Sequence, residues 1–273
     1  MCRIRKTLLL NGRRHDVARL SSEHPPSSSS LSDGSNLHFV MVAIDKEFGV
    51  AEVVADIPDG ATILISGFGE SGVPRLLISR LVEQGASDLT IISNNAGTGD
   101  AGVAELFLAD RIRRIICSYP RSVGSTWFEQ RYAEGKVELE VVPQGTLTER
   151  IRAGGAGIPA FFTPTGADSD FARDRETRDF EGRPCLLEYA LSADVALIRA
   201  ERADRWGNLT YHTVARNYAP SMATAAKLTI AEVRHPIAEP GQIDPEVVVT
   251  PGVYVDRVVH NSAGWKGDGR SDG

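Results

Sequence analysis

Little in this chain could form a disulfide framework, a metal centre or a membrane span. Its three cysteines (Cys2, Cys117 and Cys185) are odd in number, far apart and without a Cys-x-x-Cys pair. That excludes a cysteine-stapled scaffold and a zinc knuckle, and it suits a reducing, cytoplasmic setting. Cys117 follows Ile115 and Ile116 and reads as a small buried residue. The six histidines contain no HxxxH or HxH spacing, so no metal site is expected. No apolar run approaches the roughly 20 residues of a spanning helix. Residues 7–10 (TLLL) are too few for a signal-peptide core. Basic charge is not in excess either: 30 Lys and Arg stand against 36 Asp and Glu, a net charge of −6, which argues against nucleic acid as a partner.

What is present begins with Thr62-Ile63-Leu64-Ile65-Ser66-Gly67-Phe68-Gly69-Glu70-Ser71-Gly72-Val73-Pro74. An apolar, β-branched run ends in three glycines, and Pro74 opens an apolar pattern at 76, 77, 78, 81 and 82. This spacing predicts strand, glycine turn and helix, with proline near the first helical position, where its missing N–H is harmless. Glycines 67, 69 and 72 satisfy GxGxxG, the fingerprint of a dinucleotide site. Such a site also needs an acid about 20 residues on to hold the ribose hydroxyls. The next strand, residues 89–93, runs instead into Asn94-Asn95-Ala96-Gly97, and the nearest carboxylate is Asp100. Two uncharged amides suit a carbonyl or a carboxylate better than a ribose diol.

The rest of the chain is regular from about residue 42. A helix is expected over 43–55, then the glycine-turn unit, strand 89–93, a helix near 102–109 and a strand at 114–117. A helix near 126–135, an alternating strand at 137–142 and a helix over 147–152 follow. Strands alternating with helices predict an α/β fold, a largely parallel sheet flanked by helices, with ligands at the C-terminal strand ends. The glycine turn, the Asn pair and Pro143-Gln144-Gly145-Thr146 all sit at such ends. Gly154-Gly155-Ala156-Gly157-Ile158-Pro159 reads as a loop, whose backbone either approaches a ligand or merely connects. Residues 193–198 and 227–231 read as buried strands, and 204–209 as a polar turn carrying Trp206. Residues 1–40, with Pro25-Pro26 and a serine run, are expected to be a disordered extension that could lie upstream of the true start. The domain then spans 41–260, and 261–273 form a disordered tail.

Several of these segments together resemble the α subunit of the family I (3-oxoacid) CoA-transferases, over about residues 42–259. The resemblance rests on Asp59-Gly60 with the 63–74 segment, Ser93-Asn94-Asn95-Ala96-Gly97 and Val142-Pro143-Gln144-Gly145-Thr146-Leu147. Residues 149–159, Ala215-Arg216-Asn217 and Thr250-Pro251-Gly252 add to it. In one place the chain departs from the family: Ser66 stands where a second glycine precedes Gly67, a change that needs a negative φ. Cys117-Ser118-Tyr119-Pro120-Arg121 and Asp204-Arg205-Trp206-Gly207-Asn208 look most like 3-oxoadipate CoA-transferase α subunits, enzymes of aromatic catabolism.

The resemblance implies an open α/β fold and a ping-pong transfer of CoA from succinyl-CoA to a 3-oxoacid. CoA thioester serves as substrate, with no bound cofactor. The nucleophile in that family is a glutamate in a Ser-Glu-Asn-Gly segment of the β subunit, and no Glu-Asn-Gly occurs here. The chain is therefore expected to work only with a β subunit, as α2β2, with no nucleic acid or membrane partner. Gln144 is the implied amide donor to the developing oxyanion. Asn94 and Asn95 would hold substrate oxygens, the backbone at Gly67, Phe68 and Gly69 would line the cleft, and Arg216 would meet a substrate carboxylate. Plainer roles stand beside these: Asn94 and Asn95 satisfying local backbone, Gln144 capping its turn, and the glycines serving only packing. Trp206, Arg216 and Asn217 read as core or subunit-interface residues, the carboxylate contact being the alternative for Arg216, and Glu70 is the tempting in-chain nucleophile. Acetoacetate as acceptor, or a nucleotide- or acyl-binding module without transferase chemistry, are the alternatives.

Overall fold

The computed structural model describes residues 9–10, 13–14 and 44–263, apart from Val123 and Asp174. The chain divides into two units, Met1–Val42 and Ala43–Gly273. In the first, β1 (Leu9–Leu10) pairs antiparallel with β2 (Arg13–Arg14). Most of the expected disordered extension lies outside the described residues, as does the tail from residue 264 onward. Asn261, placed in that tail by the sequence, is ordered: its N–H donates to Val233 O at 3.0 Å and its side chain is buried.

The second unit alternates strand and helix as its periodicity predicts. In chain order these are β3 (Thr62–Ile65), α1 (Arg75–Gln84), β4 (Leu89–Asn95), α2 (Val103–Leu108), β5 (Ile112–Tyr119), α3 (Trp127–Ala133), β6 (Glu138–Val141) and α4 (Gln144–Gly155). A small antiparallel sheet follows, β7 (Ala160–Thr163), β8 (Thr177–Phe180) and β9 (Arg183–Tyr189), with β9 in the middle. Next come β10 (Ala193–Ala200), the short antiparallel pair β11 (Arg202–Ala203) and β12 (Leu209–Thr210), α5 (Ala219–Thr224), β13 (Ala226–Val233) and β14 (Arg257–His260).

Seven of these strands form one parallel sheet in the order β14-β13-β10-β3-β4-β5-β6. Both faces are covered. Ile63 and Ile65 pack with Leu77, Ile78, Leu81, Leu106 and Phe107 of α1 and α2, while Leu64 between them packs with Leu147 and Ile151 of α4 and Met222 of α5. Each such fully buried side chain is worth about 1.5–3 kcal/mol. This explains why the central strands read as unbroken apolar runs rather than alternating ones. Helix α1 ends at Gly85, whose φ of 100° lets its N–H return to Leu81 O at 3.2 Å. From β3 the chain winds outward to β6 and later resumes at β10 on the other side. The reversal therefore falls between β3 and β10, and sheets of this kind bind ligands beyond the strand ends at that point.

Two expectations are corrected. Of the helix expected over 43–55, residue 43 lies outside the described residues, and 44–55 do not form a continuous helix. Glu47 forms a parallel bridge to Val258 beside β14, and residues 50–56 make turns that bury Val53, Val54 and Ile57. Their i, i+1, i+4 spacing imitates a helix, but the edge of the sheet competes for the backbone, with Phe48 N–H on Val258 O and Val258 N–H on Lys46 O. Helix α4, conversely, begins at Gln144 and runs through Gly154 and Gly155, which the sequence assigned to a loop. A Cβ on Gly154 would lie 2.1 Å from Leu191 O, and one on Gly155 would lie 2.0 Å from Thr224 Oγ1. The close backbone approach that these glycines permit is to the chain's own residues, not to a ligand.

Candidate active site at the glycine turn

Beyond β3, Phe68 and Ser71 exchange two backbone hydrogen bonds, 2.9 and 3.1 Å, leaving Gly69 and Glu70 at the tip. Gly67 sits at φ 139°, where a Cβ would meet Val73 Cγ2 at 2.6 Å. The Ser66 hydroxyl donates to Gly72 O at 2.7 Å and accepts the Arg199 N–H at 3.1 Å, tying the turn's two ends to β10. Serine at 66 is not among the residues of positive φ, so the departure from the glycine pair carries no backbone strain. Asn217 clamps the same turn from outside. Its Oδ1 accepts the Gly67 N–H at 3.0 Å, and its Nδ2 donates to Ser71 O and Ala215 O, each at 3.1 Å.

The start of α1, where a nucleotide phosphate would sit in a dinucleotide fold, is occupied by the protein itself. Glu232 on β13 reaches under it and accepts from Leu76 N–H at 2.9 Å and Leu77 N–H at 3.3 Å through Oε2. Asn261 Nδ2 donates to Glu232 Oε1 at 2.8 Å. Helix N-termini hold anions through free N–H groups and the helix dipole. Here a carboxylate from within the fold already takes that role. Burial pushes the Glu232 carboxyl above its ordinary range, opposed by Asn261 and Arg199.

At the end of β4 the two asparagines part company. Asn95 Oδ1 accepts the Gly97 N–H at 2.8 Å, and its carbonyl accepts from Ser93 Oγ at 2.8 Å, so Asn95 shapes its own loop. Asn94, buried, lies under two donors. Gln144 Nε2 from the first turn of α4 donates to Asn94 Oδ1 at 2.7 Å, and the Tyr218 hydroxyl donates to the same oxygen at 3.0 Å. One strand end, one helix start and the segment before α5 thus meet on a single side-chain amide.

Ser66, Gly67, Gly69, Glu70, Asn94 and Asn95 line a cleft at this edge. It encloses about 10 Å3, near the minimum for a single water. It is an open wall, not a closed pocket. Phe68 projects beside it, 52% exposed. Glu70 lines the cleft but is ion-paired to Arg75. Arg216 is exposed at the end of a short 3-10 turn and is not among the cleft-lining residues. Trp206 is half exposed and so is no core residue of this chain. The sequence reading passed over Tyr218 and Glu232. Nothing in the local pattern signals either, since both act across distances of more than a hundred residues.

A family profile described as coenzyme A transferase matches residues 49–261. The chain belongs to the coenzyme A transferase family. Its relatives include a 3-oxoadipate CoA-transferase subunit of Pseudomonas putida, 53% identical over 210 residues that cover 77% of this chain and 90% of that protein. A succinyl-CoA:3-ketoacid coenzyme A transferase subunit of Xanthomonas campestris pv. campestris strain B100 is 50% identical over 219 residues, 80% and 88% of the two chains. Two solved coenzyme A transferases share the fold. One is an acyl-CoA transferase of Escherichia coli O157:H7 (TM-score 0.70, 24% identity, 80% of this chain), of whose length this chain spans only 47%. The other is glutaconate coenzyme A-transferase of Acidaminococcus fermentans (TM-score 0.69, 21% identity, 79% of this chain and 75% of that one). Among the described residues no helix is long and apolar enough to cross a membrane.

Proposed function

We propose that this chain is the α subunit of a two-subunit CoA-transferase that moves CoA from succinyl-CoA to 3-oxoadipate in the cytoplasm. It supplies the wall that holds the acyl oxygen, and the partner supplies the nucleophilic glutamate. The observation that carries this reading is the cleft beyond β3 and β4. It offers a fixed amide, Asn94, and close backbone at Gly67, and the carboxylate among its described lining residues, Glu70, is ion-paired to Arg75. The relatives are themselves named as single subunits of their enzymes, which supports a second polypeptide, and two copies of each would form α2β2.

In this mechanism the partner's carboxylate attacks the thioester carbonyl and CoA thiolate leaves, forming a mixed anhydride. The thiolate then attacks the glutamyl carbonyl, releasing succinate and leaving a glutamyl-CoA thioester, and the acceptor acid reverses both steps. Negative charge gathers on the carbonyl oxygen at each tetrahedral stage. A fixed donor aimed there is worth about 3–4 kcal/mol. Asn94 offers its Nδ2 hydrogens, and Gln144, which is not among the cleft-lining residues, holds Asn94 Oδ1 through one of its two amide N–H groups. A nucleotide-binding role is disfavoured because Glu232 fills the start of α1. Acetoacetate remains the second acceptor, since one relative carries the 3-ketoacid name.

The test is a coupled assay with and without the cognate partner subunit, using succinyl-CoA with 3-oxoadipate or acetoacetate, and borohydride trapping of the thioester. The expected outcome is turnover of 3-oxoadipate only in the mixture, with the trapped glutamate on the partner. Turnover or trapping on this chain alone would overturn the assignment and point to Glu70. Preference for acetoacetate would change the substrate and keep the chemistry.

A further inference from the structure

Asn94 Oδ1 accepts two hydrogen bonds, from the Gln144 amide at 2.7 Å and the Tyr218 hydroxyl at 3.0 Å. Turning the amide by 180° would set its N–H2 against the Gln144 N–H2, donor against donor. The carbonyl end of Asn94 is thus held inward, and Nδ2, with no hydrogen-bond partner among the described residues, is the end left for the cleft that Asn94 lines. Tyr218 is buried (5% exposed), and its backbone N–H is fixed by Asn217 Oδ1 at 2.8 Å. Asn217 is also the residue that clamps Gly67. Burial pushes the Tyr218 phenol above the ordinary tyrosine range, so it remains a protonated donor across neutral pH.

We propose that Tyr218 is a positioning residue for the transfer reaction: its hydroxyl, with Gln144, locks the Asn94 amide so that only N–H donors face the reacting oxygen. The inference rests on the role given to Asn94 above. Without the hydroxyl, one of the two anchors is gone and Gln144 alone holds the amide, so its N–H donors are aimed less firmly at an oxygen that is gaining negative charge. That raises the barrier to the chemical step. A preorganised donor loses most when its orientation is lost, because catalysis depends on the donor being in place before charge develops.

The experiment compares Tyr218→Phe, Asn94→Ala and the double variant, each reconstituted with the partner subunit, by steady-state kinetics and thermal melting. Asn94→Ala is expected to lower kcat by about 10²–10³. Tyr218→Phe should lower kcat about tenfold with KM for succinyl-CoA nearly unchanged, and should have almost no further effect in the Asn94→Ala background, since residues acting through one another are non-additive. An equal fold-loss from Tyr218→Phe in both backgrounds would mean a merely structural role and would overturn the inference. So would wild-type kcat in Tyr218→Phe while Asn94→Ala is impaired, and in that case the reading of the cleft stands. Full activity of Asn94→Ala would overturn both.

Discussion

Ser66 carries two buried hydrogen bonds that a glycine at the same place could not make, one to Gly72 O and one from the Arg199 N–H. Ser66→Ala leaves both groups without that partner and is expected to cost about 2 kcal/mol, read as a lower urea midpoint at unchanged slope. Glu232 makes a different prediction. Its folded carboxyl titrates above its ordinary value because it is buried, so between the unfolded and folded pKa the native state holds more protons than the unfolded chain. Stability from this group is therefore full below the unfolded value, about 4.3, and declines as pH rises above it. Glu232→Gln should remove that dependence. Urea midpoints of the variant and the parent, measured from pH 4 to 8, should diverge in favour of the variant as pH rises. Convergence instead would show that Glu232 is not the titrating group. Asn94 and Gln144 are marked in the sequence by type and by position after a strand, and the fold brings the two side chains together at 2.7 Å. That Asn95 Oδ1 turns to its own loop, and that Arg216 is not among the cleft-lining residues, depends on side-chain direction, which type and spacing do not encode.

Helices α1 and α4 show how elements gain their roles from neighbours. Both begin after a proline and neither has a side-chain cap from its own N-cap residue. At α1 the Leu76 and Leu77 N–H groups are met by Glu232 from a strand two places away in the sheet, where a phosphate would otherwise sit. At α4 the first residue, Gln144, turns instead to Asn94. The last turn of α4 is held by contact. Gly154→Ala gains roughly 1 kcal/mol of helix propensity, but its Cβ would press on the Leu191 carbonyl. The net expectation is a loss of about 1–3 kcal/mol, seen as a lowered melting temperature. A rise in melting temperature would mean that the helix can shift away from Leu191. Local composition read this segment as a loop because glycines are rare inside helices. The competing cause was packing, which no window of neighbouring residues contains.

For the whole molecule, alternating β-rich and helix-periodic segments in the sequence were enough to specify a parallel α/β sheet. Only that architecture buries strands that are apolar on both faces. The glycine turn and the family resemblance follow from the same local patterns. Tertiary structure decided what local patterns could not: where the sheet reverses, between β3 and β10, and which distant residues meet there. It set Glu232 beneath α1 and Asn217 over Gly67, and it brought Tyr218 to Asn94 across 124 positions of sequence. A short-range pattern records turn geometry and periodic burial because each neighbour is a fixed few ångströms away. A hydrogen bond between residues so far apart exists only once the sheet has ordered its strands, and the donor geometry of this cleft belongs to the fold.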